Sequence, residues 1–178
     1  MDHFEAICLD AMNYQESSVI ATVFSKQFGL FSIIHKRSSY QTAKNLSPLV
    51  KFEGVIQSLQ KDLVKCSEVN IVCSYQALRL HIKKLEMAAF LLKFLKEHLP
   101  RKEPLPILYD SLDDHLQHME SCLCPQAVAA SFILKFHEEE GILFHDDATM
   151  PFLVATLDEV SKLTCSDELF QKIAKEGT

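Results

Sequence analysis

Ser18-Val19-Ile20-Ala21-Thr22-Val23-Phe24-Ser25-Lys26-Gln27-Phe28-Gly29-Leu30-Phe31-Ser32-Ile33-Ile34-His35-Lys36 is the stretch on which the fold turns. Val19, Ala21 and Val23 fall on one side of an extended chain, and Ile20, Thr22 and Phe24 on the other. That two-residue period, written in β-branched and aromatic residues, predicts a strand over 18–25 and a second over 30–36. Both sides of the first are largely apolar, so it is expected to be covered on both faces. Between them Gly29 suits a tight hairpin that needs a positive φ.

Working outward, the same period predicts strands over 4–11, 49–59 and 64–75. In 49–59, Val50, Phe52 and Ile56 oppose Lys51, Glu53 and Gln57, the pattern of a strand with one wet face. Gly54 interrupts it, as at a bulge or a sharp barrel bend. Five short antiparallel strands must protect their edges, and closing into a small barrel does so. After Tyr75 the period lengthens: Leu78, Ile82, Leu85, Ala88/Ala89, Leu92, Leu95 and Leu99 recur every three or four residues until Pro100. Arg79, Lys83, Glu86, Lys93 and Glu97 form the opposing stripe, and further helices are expected over 105–119, 125–140, 150–163 and 166–175. Pro125 fits a first helical position, Gly141 a C-cap and Ser166 an N-cap. The expected fold class is α+β: a five-stranded OB-fold β-barrel over 1–75, then an all-α helical domain over 76–178.

Charge is unevenly laid out. The 178 residues carry a net −6, which argues against a general nucleic-acid coat. Residues 26–65 hold seven Lys/Arg against two acids and residues 79–102 seven against two, each +5, whereas 103–178 hold four against fifteen, −11. Such a dipolar chain can bind an anion with one part while the tail repels it. No apolar run approaches the roughly 20 residues of a membrane span. The acidic start (Met1-Asp2-His3-Phe4-Glu5) lacks the basic region of a secretory signal. Six cysteines scattered in apolar stretches suit a reducing compartment, so a cytoplasmic location is expected.

No Walker loop, Gly-x-Gly-x-x-Gly, Gly-x-Ser-x-Gly or His-Glu-x-x-His occurs, and four glycines cannot build a glycine-rich phosphate cradle. The paired acids Asp113-Asp114, Asp146-Asp147 and Asp158-Glu159 read as solvated helix surface or termini. His115, His118, Cys122 and Cys124 bring four potential zinc ligands close together, but Cys-x-Cys is a cramped chelate, and a helix end with two packed thiols is the preferred reading. His145 lies in an expected loop with nothing to complete a site. No cofactor, no metal and no catalytic residue are expected.

The polar, basic, hydroxyl-rich stretch His35-Lys36-Arg37-Ser38-Ser39-Tyr40-Gln41-Thr42-Ala43-Lys44-Asn45 could wrap a phosphate backbone, with Lys and Arg on phosphate oxygens and Ser and Thr adding hydrogen bonds. Tyr14 and Tyr40 are candidates to stack on bases, whereas Phe31 reads as core.

Four segments, in order, resemble the RecO family of recombination mediators: Asn13-Tyr14-Gln15-Glu16-Ser17-Ser18, Phe24-Ser25-Lys26-Gln27-Phe28-Gly29-Leu30, His35-Lys36-Arg37-Ser38 and Leu46-Ser47-Pro48-Leu49. The similarity covers about residues 4–60, with a weaker helical likeness to about Gly141. The resemblance implies an OB-fold that binds and anneals single-stranded DNA. It also implies a helical domain that meets RecR and the acidic, apolar-ended tail of the single-strand-binding protein, so that RecA is loaded on gapped DNA. By position Lys36 and Arg37 inherit the DNA-loop role, and Lys44 joins them on charge. Lys83, Lys84, Lys93, Lys96 and Arg101 are candidates for the acidic tail by charge alone. Two features depart from the family: the loop lacks its glycine, and the four-cysteine zinc module expected after Gly141 is represented by Cys165 alone. Two other readings stay open. One is a protein-interaction adaptor whose barrel has lost DNA binding; the other is an enzyme built on the His115/Cys122 cluster.

Overall fold

The structure, a computed structural model, describes residues 1–36 and 46–139. The helices expected over 150–163 and 166–175, and Gly141, His145, Cys165 and Ser166, lie outside the described residues. Five strands, β1 (Asp2–Tyr14), β2 (Ser18–Ser25), β3 (Gly29–Lys36), β4 (Val50–Ile56) and β5 (Leu63–Cys73), close into a barrel in the order β1-β2-β3-β5-β4. This is the OB-fold. One pairing differs from expectation: β3 runs parallel to β5, from Ser32 opposite Leu63 to His35 opposite Cys66. The reason is connectivity. After β3 the chain crosses to pair β4 with β1, and β5 returns antiparallel to β4 into the remaining gap beside β3.

The interior is built by every second residue. Ala6, Cys8, Ala21, Val23, Phe31, Ile33, Phe52, Ile56, Val64 and Cys66 form one buried cluster around Phe4. Phe4 meets Phe31 and Phe52 edge-on, with centroids 5.4 and 5.7 Å away. Gly54 answers to this cluster rather than to a bulge of its own: a β-carbon there would lie 2.6 Å from the Phe4 ring, and the register shifts of β4 fall to either side of it. Gly29 does have the left-handed φ of 69° expected of the hairpin, and a second constraint as well. Its α-carbon is overlaid by the 101–103 segment, where Lys102 donates its N–H to the Leu30 carbonyl, and a β-carbon would fall 1.9 Å from the Glu103 carbonyl oxygen.

Among the described residues four helices follow: α1 (Gln76–Arg79), α2 (Ile82–His98), α3 (Pro106–Ser121) and α4 (Pro125–Glu139). The single helix expected through Leu78 and Ile82 is broken, because His81 is extended and Ile82 is 68 % exposed. Arg79 explains the break. Its guanidinium donates to the carbonyls of Ser74, Pro48 and Leu49, holding α1 against the strand connections before α2 sets off. Helix α2 packs on β1 and α3, and α1 packs on α3. The chain divides into two compact units, Met1–Ser121 and Cys122–Thr178, so the barrel shares its unit with α1–α3. In the second unit α4 starts at Pro125 and buries Val128, Ala129, Phe132, Ile133 and Phe136. No helix among the described residues is long and apolar enough to cross a membrane.

Within the first unit a polar clasp joins barrel to helix. Lys51 of β4 reaches Asp113 of α3 at 2.7 Å and Glu5 of β1 at 3.2 Å. The Tyr75 hydroxyl donates to Asp113 at 2.6 Å, and the Gln117 amide donates to it at 3.0 Å. Burial opposes ionisation of Asp113, but the bonds from Lys51, Tyr75 and Gln117 outweigh it and hold its pKa below the ordinary value. Burial likewise works against the Lys51 ammonium, and Asp113 and Glu5 overcome it, leaving its pKa raised. Tyr75 sits at φ 41°, in a conformation few bulky residues adopt, and the hydroxyl bond helps to hold it there.

Candidate nucleic-acid interface

The outer surface of the barrel has two ends. At one, Ile7, Phe24 and Leu30 are cross-strand neighbours and all buried, with Tyr109 of α3 stacked edge-on to Phe24 at 5.6 Å. At the other end the strands place Tyr14 opposite Ser18 and Ser18 opposite Lys36. The next row reads Met12, Ile20, Ile34, Lys65 across β1, β2, β3 and β5. Residues directly opposite share a face of the sheet, so the side chains of these two rows form one surface. Met12 is 63 % and Tyr14 44 % exposed, Lys36 and Lys65 are exposed, and Ile20 and Ile34 are half-buried.

A bulge produces this arrangement. Cys8 pairs with Val23 and Asp10 with Thr22, so Leu9 is an extra residue in β1. The extra residue resets the alternation, and Asp10, Met12 and Tyr14 turn outward while Ala11 opposes the inward Ala21. The expectation that β2 is covered on both faces therefore fails at its first half. Phe24 is covered, but Ile20 and Thr22 keep partial exposure.

Of the residues expected to bind DNA, Lys36 and Tyr14 are brought together, two strand spacings or about 10 Å apart. His35 is separated from them: it opposes Val19 on the inward-facing side, and its Nδ1 lies 3.2 Å from the Cys66 carbonyl oxygen, to which it can donate. Arg37, Tyr40 and Lys44 lie outside the described residues. Phe31 is 1 % exposed inside the barrel. Met12, Ile20, Ile34 and Lys65 were not singled out from the sequence; the apolar outer positions of β2 were the available signal. The positive count of 26–65 also overstates what a ligand would meet. Lys51 is held in the clasp, and Lys26 pairs with Asp110 at 2.7 Å. Among the described residues Lys36 and Lys65 enter no ion pair, which leaves their charge to solvent or ligand.

The five residues expected to meet an acidic tail are distributed. Lys93 and Lys96 line one groove, Lys84 donates to the Glu120 carbonyl at the end of α3, and Arg101 bridges to Leu30 at the end of β3 opposite Lys36. Lys83 stands next to Lys84 in the first turn of α2. Among the described residues no three His, Cys, Asp or Glu side chains are grouped to hold a metal; His115 instead directs Nδ1 at the Ser111 carbonyl, 2.7 Å away.

Comparison with known proteins places this barrel. Residues 1–75 match the family described as "Recombination protein O N terminal". The chain is 29 % identical over 119 residues to the DNA repair protein RecO of Geobacter metallireducens, which covers 65 % of this chain and 48 % of that protein. It is 27 % identical over 124 residues to that of Thermodesulfovibrio yellowstonii, covering 68 % and 50 %. To that of Exiguobacterium sibiricum it is 22 % identical over 147 residues, covering 82 % and 59 %. The chain thus spans about half the length of the curated relatives it matches. The barrel is similar to the RecO N-terminal domain, and the chain as far as its helices is similar to RecO proteins of three bacteria.

Proposed function

We propose that this chain is a DNA repair and recombination mediator that acts by binding, without turnover. Its barrel, residues 1–75, holds and anneals single-stranded DNA. Its helical part, residues 76–178, meets RecR and the acidic tail of the single-strand-binding protein, helping RecA onto DNA which that protein covers. The observation that carries the reading is the open barrel face, where Tyr14 and the aliphatic Met12, Ile20 and Ile34 run across β1, β2 and β3 to Lys36 on β3 and Lys65 on β5. A base can stack or rest on the apolar strip while its phosphates pair with the lysines at the β3–β5 side, and neither contact depends on base identity. Arg37, Tyr40 and Lys44 extend the same interface in this proposal.

The test is fluorescence anisotropy of a labelled oligonucleotide at two salt concentrations. Binding is expected to be tolerant of sequence and to weaken with salt. Absence of binding at low salt would overturn the DNA reading in favour of the adaptor, which the net charge of −6 favours. Pull-down of RecR or the tail by a chain that ignores DNA would then identify it.

A further inference from the structure

Met12 is the side chain of the open barrel face that oxidants attack most readily, because its thioether sulfur is soft and carries an accessible lone pair. It is 63 % exposed, whereas Met87 and Met119 in the helices are 1 % and 0 % exposed. Met1, at 84 %, stands before β1 and outside the two rows of the face. The surroundings of Met12 are apolar: Ile20 is opposite on β2 and Ile34 beyond it on β3. Tyr14 shares the face two residues on, about 7 Å along β1. The extra residue Leu9 is what turns Met12 outward, since unbroken alternation from the inward Ala6 and Cys8 would carry it into the barrel.

We propose that Met12 is an oxidation site through which a peroxide weakens single-strand binding by the barrel. The inference rests on the reading of this face as the strand-binding surface and adds its regulation. The Met12 sulfur attacks one peroxide oxygen, the O–O bond breaks, an S–O bond forms and the other oxygen leaves as water. Sulfur gives up two electrons and the peroxide takes them. A dithiol reverses the change: its two thiols become a disulfide as the sulfoxide oxygen departs in water. The sulfoxide is neutral but strongly polar. Beside Tyr14, Ile20 and Ile34 it holds water where a base would otherwise lie, and the apolar strip is interrupted. Lys36 and Lys65 keep their charge, so the phosphate contacts remain. Oxidation therefore lowers affinity and leaves the salt slope alone, unlike the loss of a lysine. Reciprocally, a bound strand covers Met12 and slows its oxidation.

The experiment treats the full chain with hydrogen peroxide, alone or saturated with oligothymidine, and maps sulfoxides by mass spectrometry. Anisotropy then measures oligothymidine binding at two salt concentrations. Met12 is expected to be modified well before Met87 and Met119, and more slowly when oligothymidine is bound. Affinity should fall about threefold to tenfold with the salt slope unchanged, and methionine sulfoxide reductase with a dithiol should restore it. Met12→Leu, which has no sulfur at this position, should bind equally before and after peroxide, each sample being compared with its own untreated one. An equal loss in Met12→Leu would overturn the proposal, because the damage would then lie at Met1 or a cysteine. So would an altered slope, an unmodified Met12, or no protection by the oligonucleotide. An untreated chain that does not bind oligothymidine would remove the barrel reading and this proposal with it. A chain that binds and is indifferent to peroxide would overturn this proposal alone.

Discussion

Replacing Asp113 by alanine tests how the barrel and α3 are joined. The side chains of Lys51 and Asp113 are only 15 % and 13 % exposed, so the pair is shielded from water but not wholly withdrawn from it. Removing the carboxylate leaves Lys51 with Glu5 alone, at 3.2 Å, and takes the acceptor from the Tyr75 hydroxyl, which is 1 % exposed as a residue. Breaking a buried pair from one side costs about 3–5 kcal/mol, and the residual exposure here places the expectation at about 3 kcal/mol. With a urea dependence of about 2 kcal/mol per molar, the midpoint should fall by about 1.5 M. Equilibrium urea unfolding followed by circular dichroism measures it. A matched triple variant, Lys51→Met with Tyr75→Phe and Asp113→Leu, replaces the polar groups together and should return to within about 1 kcal/mol of wild type. A loss below about 1 kcal/mol in Asp113→Ala, or an equal loss in the triple variant, would refute the reasoning.

Other outcomes follow from the same structure. Because the folded pKa of Asp113 lies below 3.8, its contribution is complete above that pH and is lost as pH falls through the lowered value. Because that of Lys51 lies above 10.5, its contribution is complete below 10.5 and is lost as pH rises through the raised value; Asp113→Ala should flatten both limbs of a stability–pH profile. Gly54→Ala should destabilise by about 1–3 kcal/mol through its clash with Phe4, and Phe4→Leu in the same chain should recover part of that in urea unfolding. Burial pushes the Cys8 thiol up to about 12 and the Cys66 thiol up to about 11, so at pH 8 both should alkylate at least about a hundredfold more slowly than an ordinary thiol at 9.0, and mass spectrometry should find them modified after the partly exposed Cys73, Cys122 and Cys124. Lys36→Ala with Lys65→Ala should reduce the salt slope of single-strand binding by about 1.4, at about 0.7 for each phosphate that a lysine no longer neutralises.

Helix and strand were legible because their signals are local. The two-residue alternation of Val19, Ala21 and Val23 against Ile20, Thr22 and Phe24 needs no partner to be read, and it located β2 with its bounds. Gly29 and Pro125 marked a turn and a helix start for equally local reasons, a positive φ and a missing N–H. Lys36 could be singled out by its basic stretch and its place in the resemblance, and Tyr14 as an aromatic residue with polar neighbours, although β1 runs on to Tyr14 and not only to Ala11. That they share a face could not, because it depends on the extra residue at Leu9, which shifts the alternation of β1 by one and has no turn residue to announce it.

What tertiary structure alone decided are pairings between distant parts of the chain. The parallel contact of β3 with β5 arises from where β4 finds room, not from either strand's own sequence. Lys51 and Asp113 stand 62 residues apart, and Lys96 and Asp10 stand 86 apart. Counting charges along the chain assigned Lys26 and Lys51 to a basic segment, yet folding gave each a carboxylate partner, while Lys36 and Lys65 enter no ion pair among the described residues. Side-chain period is written into neighbouring residues and is determined by sequence. The partner of a charge, and the side of the sheet on which it ends, are set by which elements meet when the barrel closes.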